Sequence, residues 1–129
     1  MIGIVIVAHG GLAREYLAAV DYVMGPQTGI RAISIEPDHD RTQKESEIRA
    51  AADSVDAGAG VVVVVDLFGS SPFNLSLLAC GREQRQILAG ANMPMLLKLA
   101  QSRNLPLPAA VEAAINAGRK YIDSRDGGK

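Results

Sequence analysis

Five consecutive valines, Val61 to Val65, stand between Gly60 and Asp66. A run without polar alternation has no face to offer water. As a strand it must be covered on both sides, which is the habit of parallel sheets sandwiched between helices. Asp66 then falls at the carboxyl end of a buried strand, followed by the turn Leu67-Phe68-Gly69-Ser70-Ser71-Pro72. Ser71 as N-cap and Pro72 as first helical residue predict a helix that starts at once. In open α/β sheets, loops and helix amino termini converge on that edge. Asp66 is therefore either the cap of an ordinary strand-to-helix turn or a carboxylate delivered to a cleft.

The chain before the valines repeats the pattern. Ile2 to Ala8 is a second apolar run, ending in His9-Gly10-Gly11, and reads as a central first strand. Leu12, Tyr16, Ala19, Val20 and Val23 recur at three- and four-residue steps, predicting a helix from Leu12 to Met24 that stops at Gly25-Pro26. Ile30 to Ile35 is a less uniformly apolar strand, nearer an edge. Asp40 with Gln43 fits a capping box opening a charged helix, whose inner face is Ile48, Ala51 or Ala52, and Val55.

Beyond Asp66 the expected elements are a helix from Pro72 to about Cys80, with Leu75, Leu78 and Ala79 facing the sheet, and a short strand from Gln86 to Ala89. Asn92 caps the next helix, whose inner face is Met95, Leu96, Leu99 and Ala100. A last helix starts near Pro108 and turns Val111, Ala114 or Ile115, Tyr121 and Ile122 inward. Gly118 interrupts it, leaving Arg119 to Asp123 as a helix end or an extra edge strand. The fold class is α/β in three layers: an open, mainly parallel four-stranded sheet with helices on both faces and right-handed crossovers. Residues 1–123 are expected as one domain, with 124–129 a polar tail.

Composition narrows the function. A net charge of −1 over 129 residues supplies no field to gather nucleic acid. Cys80 is the single cysteine, which excludes an intrachain disulfide and a cysteine zinc site; beside Leu77 and Leu78 it reads as a small hydrophobe. The first eight residues lack a basic leader and the length of a spanning helix, so a soluble cytoplasmic protein is expected. His9, Asp66 and His39 show neither paired-histidine spacing nor a carboxylate cluster, so no metal is expected.

If the second strand lies outside the first, the first and valine strands flank the switch point of the sheet, and His9 and Asp66 meet across one crevice. A histidine donating one ring N–H to a carboxylate is locked in the tautomer that leaves its other nitrogen as a nucleophile. His9 has the bland alternative of a satisfied structural residue. The turns at Gly10-Gly11 and Ser70-Ser71 could offer donors to an anion. His39, in the polar loop Glu36-Pro37-Asp38-His39-Asp40, is assigned a surface role.

Three segments carry a resemblance: Val7-Ala8-His9-Gly10-Gly11-Leu12-Ala13, Asp66-Leu67-Phe68-Gly69-Ser70-Ser71-Pro72-Phe73-Asn74, and Ala89-Gly90-Ala91-Asn92-Met93-Pro94-Met95-Leu96. In order and spacing they resemble the enzyme IIA domain of the mannose family of the bacterial sugar phosphotransferase system, over essentially residues 1–122. The resemblance implies that His9 accepts a phosphoryl group from the phosphocarrier HPr and passes it to an enzyme IIB or uses it as a regulatory signal. It implies that Asp66 orients the ring, and that Gly10, Gly69, Ser70, Ser71 and Asn92 line the phosphate site. It also implies a homodimer, no cofactor, and contact with a membrane only through a permease complex. The family commonly has glycine where this chain has Ser70, whose hydroxyl could substitute for a backbone donor.

Three rivals stand beside that reading. The phosphotransfer subunit of dihydroxyacetone kinase has a similar fold and histidine, against which Ser71-Pro72-Phe73-Asn74 argues. A receiver domain phosphorylated on aspartate needs an acidic pair after the first strand to hold magnesium, where this chain has Ala8-His9. A regulatory module, whose phosphate changes its binding partner, is suggested by the sequence ending near Lys129 with no linker to a IIB domain, so that a separate partner is expected.

Overall fold

The computed structural model describes residues 1–128; Lys129, the end of the expected tail, lies outside the described residues. The elements alternate: β1 (Gly3–His9), α1 (Leu12–Met24), β2 (Ile30–Ile35), α2 (Arg41–Val55), β3 (Val61–Val65), α3 (Ser71–Ser76), β4 (Arg85–Ala89), α4 (Met93–Gln101) and α5 (Leu107–Lys120). The four strands form one parallel sheet in the order β2-β1-β3-β4. The chain thus builds outward from β1 in one direction and then in the other. The crevice between β1 and β3 is the switch point.

Both faces of the sheet are dry, as the valines require. Ile4, Ile6, Val62 and Val64 pack with Val20 of α1, Leu96 and Leu99 of α4, and Ala110 and Ala114 of α5. Val5, Val7, Val61, Val63 and Val65 pack on the other side with Ile48 and Ala52 of α2 and Leu75 of α3. Successive residues of one strand feed opposite layers because side chains alternate across the pleat. The inner faces expected for α2 and α4 are the ones observed: Ile48, Ala51 and Ala52, and Met95, Leu96, Leu99 and Ala100. Asp40 caps α2 through the Gln43 N–H at 2.9 Å, and Asn92 caps α4 through the Met95 N–H at 3.0 Å.

Several expectations change. The inner stripe of α1 is Ala13, Tyr16, Leu17, Val20 and Met24, so Leu12 and Val23 face outward. In a helix this rich in apolar residues, two adjacent stripes satisfy the same spacing, and contact with α4 and the sheet selects between them. Helix α3 is shorter than expected, and its N-cap is Ser70, whose carbonyl accepts from the Asn74 N–H, rather than Ser71. At its end the Leu77 N–H bonds to Asn74 three residues back, and the chain passes through turns to Gly81. That tightening leaves Leu77 and Leu78 exposed while Ala79 is buried.

The carboxyl end differs too. Gly118 does not interrupt α5 but lies inside it, where a Cβ would come within 3.1 Å of Met95 Cβ and 3.3 Å of Asn92 Nδ2. Its small size allows α5 to close on α4. The helix runs to Lys120, no fifth strand forms among the described residues, and Tyr121 and Ile122 are exposed.

Two arginines unmarked in the sequence hold the amino edge of the sheet. The Arg103 guanidinium donates to the carbonyls of Ile2, Thr28 and Gly29 at 2.6–3.0 Å, tying the starts of β1 and β2 to the α4–α5 turn. Burial lowers its pKa. Arg85, at the start of β4, donates to Asp53 at 2.7 Å and Asp56 at 3.1 Å near the end of α2.

Candidate active site at the carboxyl edge of the sheet

His9 ends β1 opposite Ile35 of β2, while Val7, two residues earlier, pairs with Val65, the last residue of β3. Asp66 therefore leaves β3 beside the histidine. Its Oδ2 accepts twice, from the His9 backbone N–H at 3.1 Å and from ring Nδ1 at 2.7 Å. An ionised carboxylate only accepts, so Nδ1 carries the hydrogen, and in the neutral ring Nε2 keeps its lone pair. The ring is 51% exposed and the carboxylate 12%. A fixed base thus holds an accessible nucleophile. Asp66 Oδ1 is buried with no partner among the described residues, so the imidazole and the backbone N–H of His9 are the groups that offset the carboxylate charge.

His9 and Gly10 line a hollow of about 410 Å³ with Ile35, Glu36, Pro37, His39 and Ser71. Gly10 adopts φ +52°, a left-handed conformation costly to residues with a Cβ, and so turns the chain directly after His9. Its N–H donates to the Ile35 carbonyl at 3.0 Å and is committed to the sheet. The first-turn N–H groups of α1, starting one residue after Gly11, have no intrahelical partners and form the positive end of that helix dipole.

The other expected site residues divide. Ser71 lies at the start of α3 and shares the hollow with His9. The Ser70 hydroxyl donates to the Leu67 carbonyl at 2.6 Å, which closes the turn from within. Gly69 lies in the same turn, where its carbonyl accepts from Asn74 Nδ2 at 3.3 Å. Asn92 is engaged at both ends, accepting from the Met95 N–H and donating to the Gly118 carbonyl at 3.1 Å. It lines a second hollow, with Phe68, Phe73 and Met95.

His39 was placed on the surface by sequence, yet it is half-buried and shares the His9 hollow. The signal was available: once β2 lies beside β1, their exit loops must be neighbours. Among the described residues no group of three or more His, Cys, Asp or Glu side chains is arranged to share a metal ion, and no helix is long and apolar enough to cross a membrane.

The chain is similar to known proteins over this same framework. The family described as "PTS system fructose IIA component", EIIA-man, matches residues 3–116. The PTS system mannose-specific EIIAB component of Escherichia coli K12 is 30% identical over 124 residues, which are 94% of this chain and 38% of that protein. The chain therefore spans well under half of that two-part relative. Among solved structures, the phosphotransferase system component EIIA of Streptococcus agalactiae superposes with a TM-score of 0.85 at 25% identity, covering 96% of this chain and 97% of the other. The IIA protein associated with the fucose utilization operon of Streptococcus pneumoniae gives 0.78 at 27% identity, covering 89% of each. A parallel sheet ordered β2-β1-β3-β4, a histidine and an aspartate at its switch point, and a family match over most of the chain lead to one conclusion: the chain belongs to the EIIA-man family of phosphotransferase-system IIA components.

Proposed function

We propose that the chain is a phosphohistidine carrier that takes a phosphoryl group from phospho-HPr onto His9 Nε2 and gives it to an enzyme IIB. The observation that carries this reading is the 2.7 Å bond between His9 Nδ1 and Asp66, which leaves Nε2 free in an exposed ring. In the transfer, the Nε2 lone pair attacks phosphorus in line as the bond from phosphorus to the donor ring breaks, its electron pair returning to that ring. The Nδ1 proton stays in place. The phosphorylated His9 ring is then a cation beside the Asp66 carboxylate, and it leaves in the onward transfer as a neutral imidazole rather than an imidazolate. Asp66 thus stabilises the positive charge that develops on the ring and keeps the group transferable.

The surroundings suit a protein donor. Leu67 and Phe68, directly after Asp66, are 60% and 74% exposed and supply an apolar surface beside the charged centre. The site lies at one edge of a carrier domain of residues 1–123, working as a homodimer in the cytoplasm and meeting membranes through a permease complex. Gly10, Gly69, Ser70, Ser71 and Asn92 support or line the phosphate site; the bonds of Ser70 and Asn92 make them holders of the turns, and Ser71 faces the group.

Incubation with phosphoenolpyruvate, enzyme I and HPr, followed by intact mass, tests this reading. One acid-labile, base-stable phosphoryl group is expected on the wild type and none on His9→Ala, because a phosphoramidate hydrolyses when its ring nitrogen is protonated. A phosphoryl group on His9→Ala would overturn the site. Transfer to enzyme IIB identifies transport, whereas retention of the group with state-dependent capture of another protein would make the chain a regulatory module.

A further inference from the structure

The His9 hollow contains a second imidazole with a fixed orientation. His39 lies in the loop between β2 and α2, and its Nδ1 is 2.8 Å from the Glu36 carbonyl oxygen. A carbonyl only accepts, so Nδ1 is the donor, and the ring's remaining function resides in Nε2. The bond spends one nitrogen on the loop and leaves the other uncommitted. The ring lines the same hollow of about 410 Å³ as His9 and Ser71.

We infer that His39 is a phosphoryl-facing residue of this site: protonated on Nε2, it donates to a phosphoryl oxygen carried by His9 and makes acceptance of the group dependent on pH. The inference rests on the carrier reading of His9. Phosphorylation brings about two negative charges into the hollow. A nearby opposite charge favours the protonated imidazole. By linkage, a proton on His39 then favours the phosphorylated state by the same factor.

The charged groups around the hollow leave this place for a cation. Glu36 lines it, and Asp38 and Asp40 flank His39 in the loop. Asp40 is committed to the α2 cap, and Asp66 faces His9. At the start of α2, Arg41 pairs with Glu45; the first turn of α1 contributes Arg14 and Glu15. The phosphoryl group would bring the further negative charge that a cation at His39 meets.

NMR titration of both histidine rings, in the free and the enzymatically phosphorylated protein, tests the inference, with intact mass reporting occupancy. The His39 midpoint is expected to move upward by about 0.5–1 pH unit on phosphorylation of His9. The ratio of wild-type to His39→Gln acceptance from phospho-HPr should rise as pH falls through that midpoint, the comparison cancelling any effect of pH on the His9 nucleophile. His39→Gln, which keeps a donor without the charge, should flatten this component and slow acceptance about three- to tenfold at pH 6. His39→Arg should restore the rate without the pH dependence. All variants should keep the wild-type melting temperature, because among the described residues the ring bonds to a loop carbonyl alone. A His39 midpoint unchanged in fully phosphorylated protein, or His39→Gln matching wild type across the pH range, would overturn the inference and leave the carrier reading intact. An absent phosphoryl group on wild type overturns both.

Discussion

The two ends of the sheet treat ionic groups in opposite ways. At the amino edge, the Arg85 guanidinium is 1% exposed and bridges Asp53 and Asp56, so one buried cation meets two carboxylates that reach solvent. At the carboxyl edge, the more buried partner is the carboxylate, a single oxygen takes both donors, and the ring it holds is half in solvent. One arrangement joins α2 to β4; the other leaves a ring nitrogen with its lone pair in an exposed side chain. The contrast shows how the same kind of contact can be structural or chemical, depending on which partner is buried and which reaches solvent.

The largest effect separating the two ends should come from His9→Ala, with acceptance of the phosphoryl group abolished and stability lowered by about 1–2 kcal/mol, since Asp66 loses the ring N–H but keeps the backbone N–H of residue 9. Mass spectrometry and urea unfolding measure the two quantities on one sample. Strong destabilisation would mean that the ring holds the crevice closed, and the contrast between the ends would fail. Asp66→Asn comes next. The amide oxygen can still accept both donors, preserving the tautomer, but it brings no charge to balance the imidazolium. Acceptance should slow about a hundredfold, read by rapid-quench transfer from phospho-HPr; a rate near wild type would show that orientation alone suffices.

At the amino edge the prediction inverts: a stability effect and no chemical one. Arg85→Ala should cost about 1–3 kcal/mol, less than breaking a wholly buried pair because Asp53 and Asp56 can take up water, while phosphoryl acceptance stays unchanged. Asp53 is held below the usual carboxylate range by its hydrogen bond from Arg85, and Asp56 by the Gly58 N–H and then by Arg85. For Arg85 itself, desolvation opposes the charge but the two carboxylates outweigh it, raising its pKa. Folded carboxylates with depressed pKa values contribute stability above their unfolded value of about 3.9, and that contribution is lost as pH falls through the folded values. Denaturant unfolding between pH 5 and roughly 2.5 should therefore show a steeper acid loss in wild type than in Arg85→Ala. Equal slopes would remove Arg85 from the acid response.

What the sequence shows and what it hides follow the same division. The valine run could be placed because five β-branched residues without a polar one have few other solutions, and His9 and Asp66 could be placed because each ends such a run. The α1 face, the short α3 and the exposed Tyr121 and Ile122 were less legible. Apolar residues at helical spacing there permit more than one face, and tertiary contact made the selection. Arg85 and Arg103 are invisible in one dimension: nothing local distinguishes an arginine that bridges two elements from one in solvent. His39 required the sheet order before its loop could be set beside His9.

The smallest effect uses Cys80, which lies close enough to the Arg85 corner to feel its charge. Burial pushes its thiol up to about 11, while the Arg85 charge pulls in the other direction. At pH 8 on the order of a thousandth of the folded thiol is ionised, so iodoacetamide should label the native protein far more slowly than the urea-unfolded chain. Arg85→Met replaces the cation with an apolar chain of similar length. If the corner stays packed, the lost positive charge raises the thiol pKa further and slows labelling modestly, by about two- to threefold. If the guanidinium is what holds β4 to α2, the corner opens and labelling accelerates toward the unfolded rate. The sign of that change therefore distinguishes a corner closed by apolar packing from one closed by charge, with the His9 site, at the far edge of the sheet, as the unperturbed control.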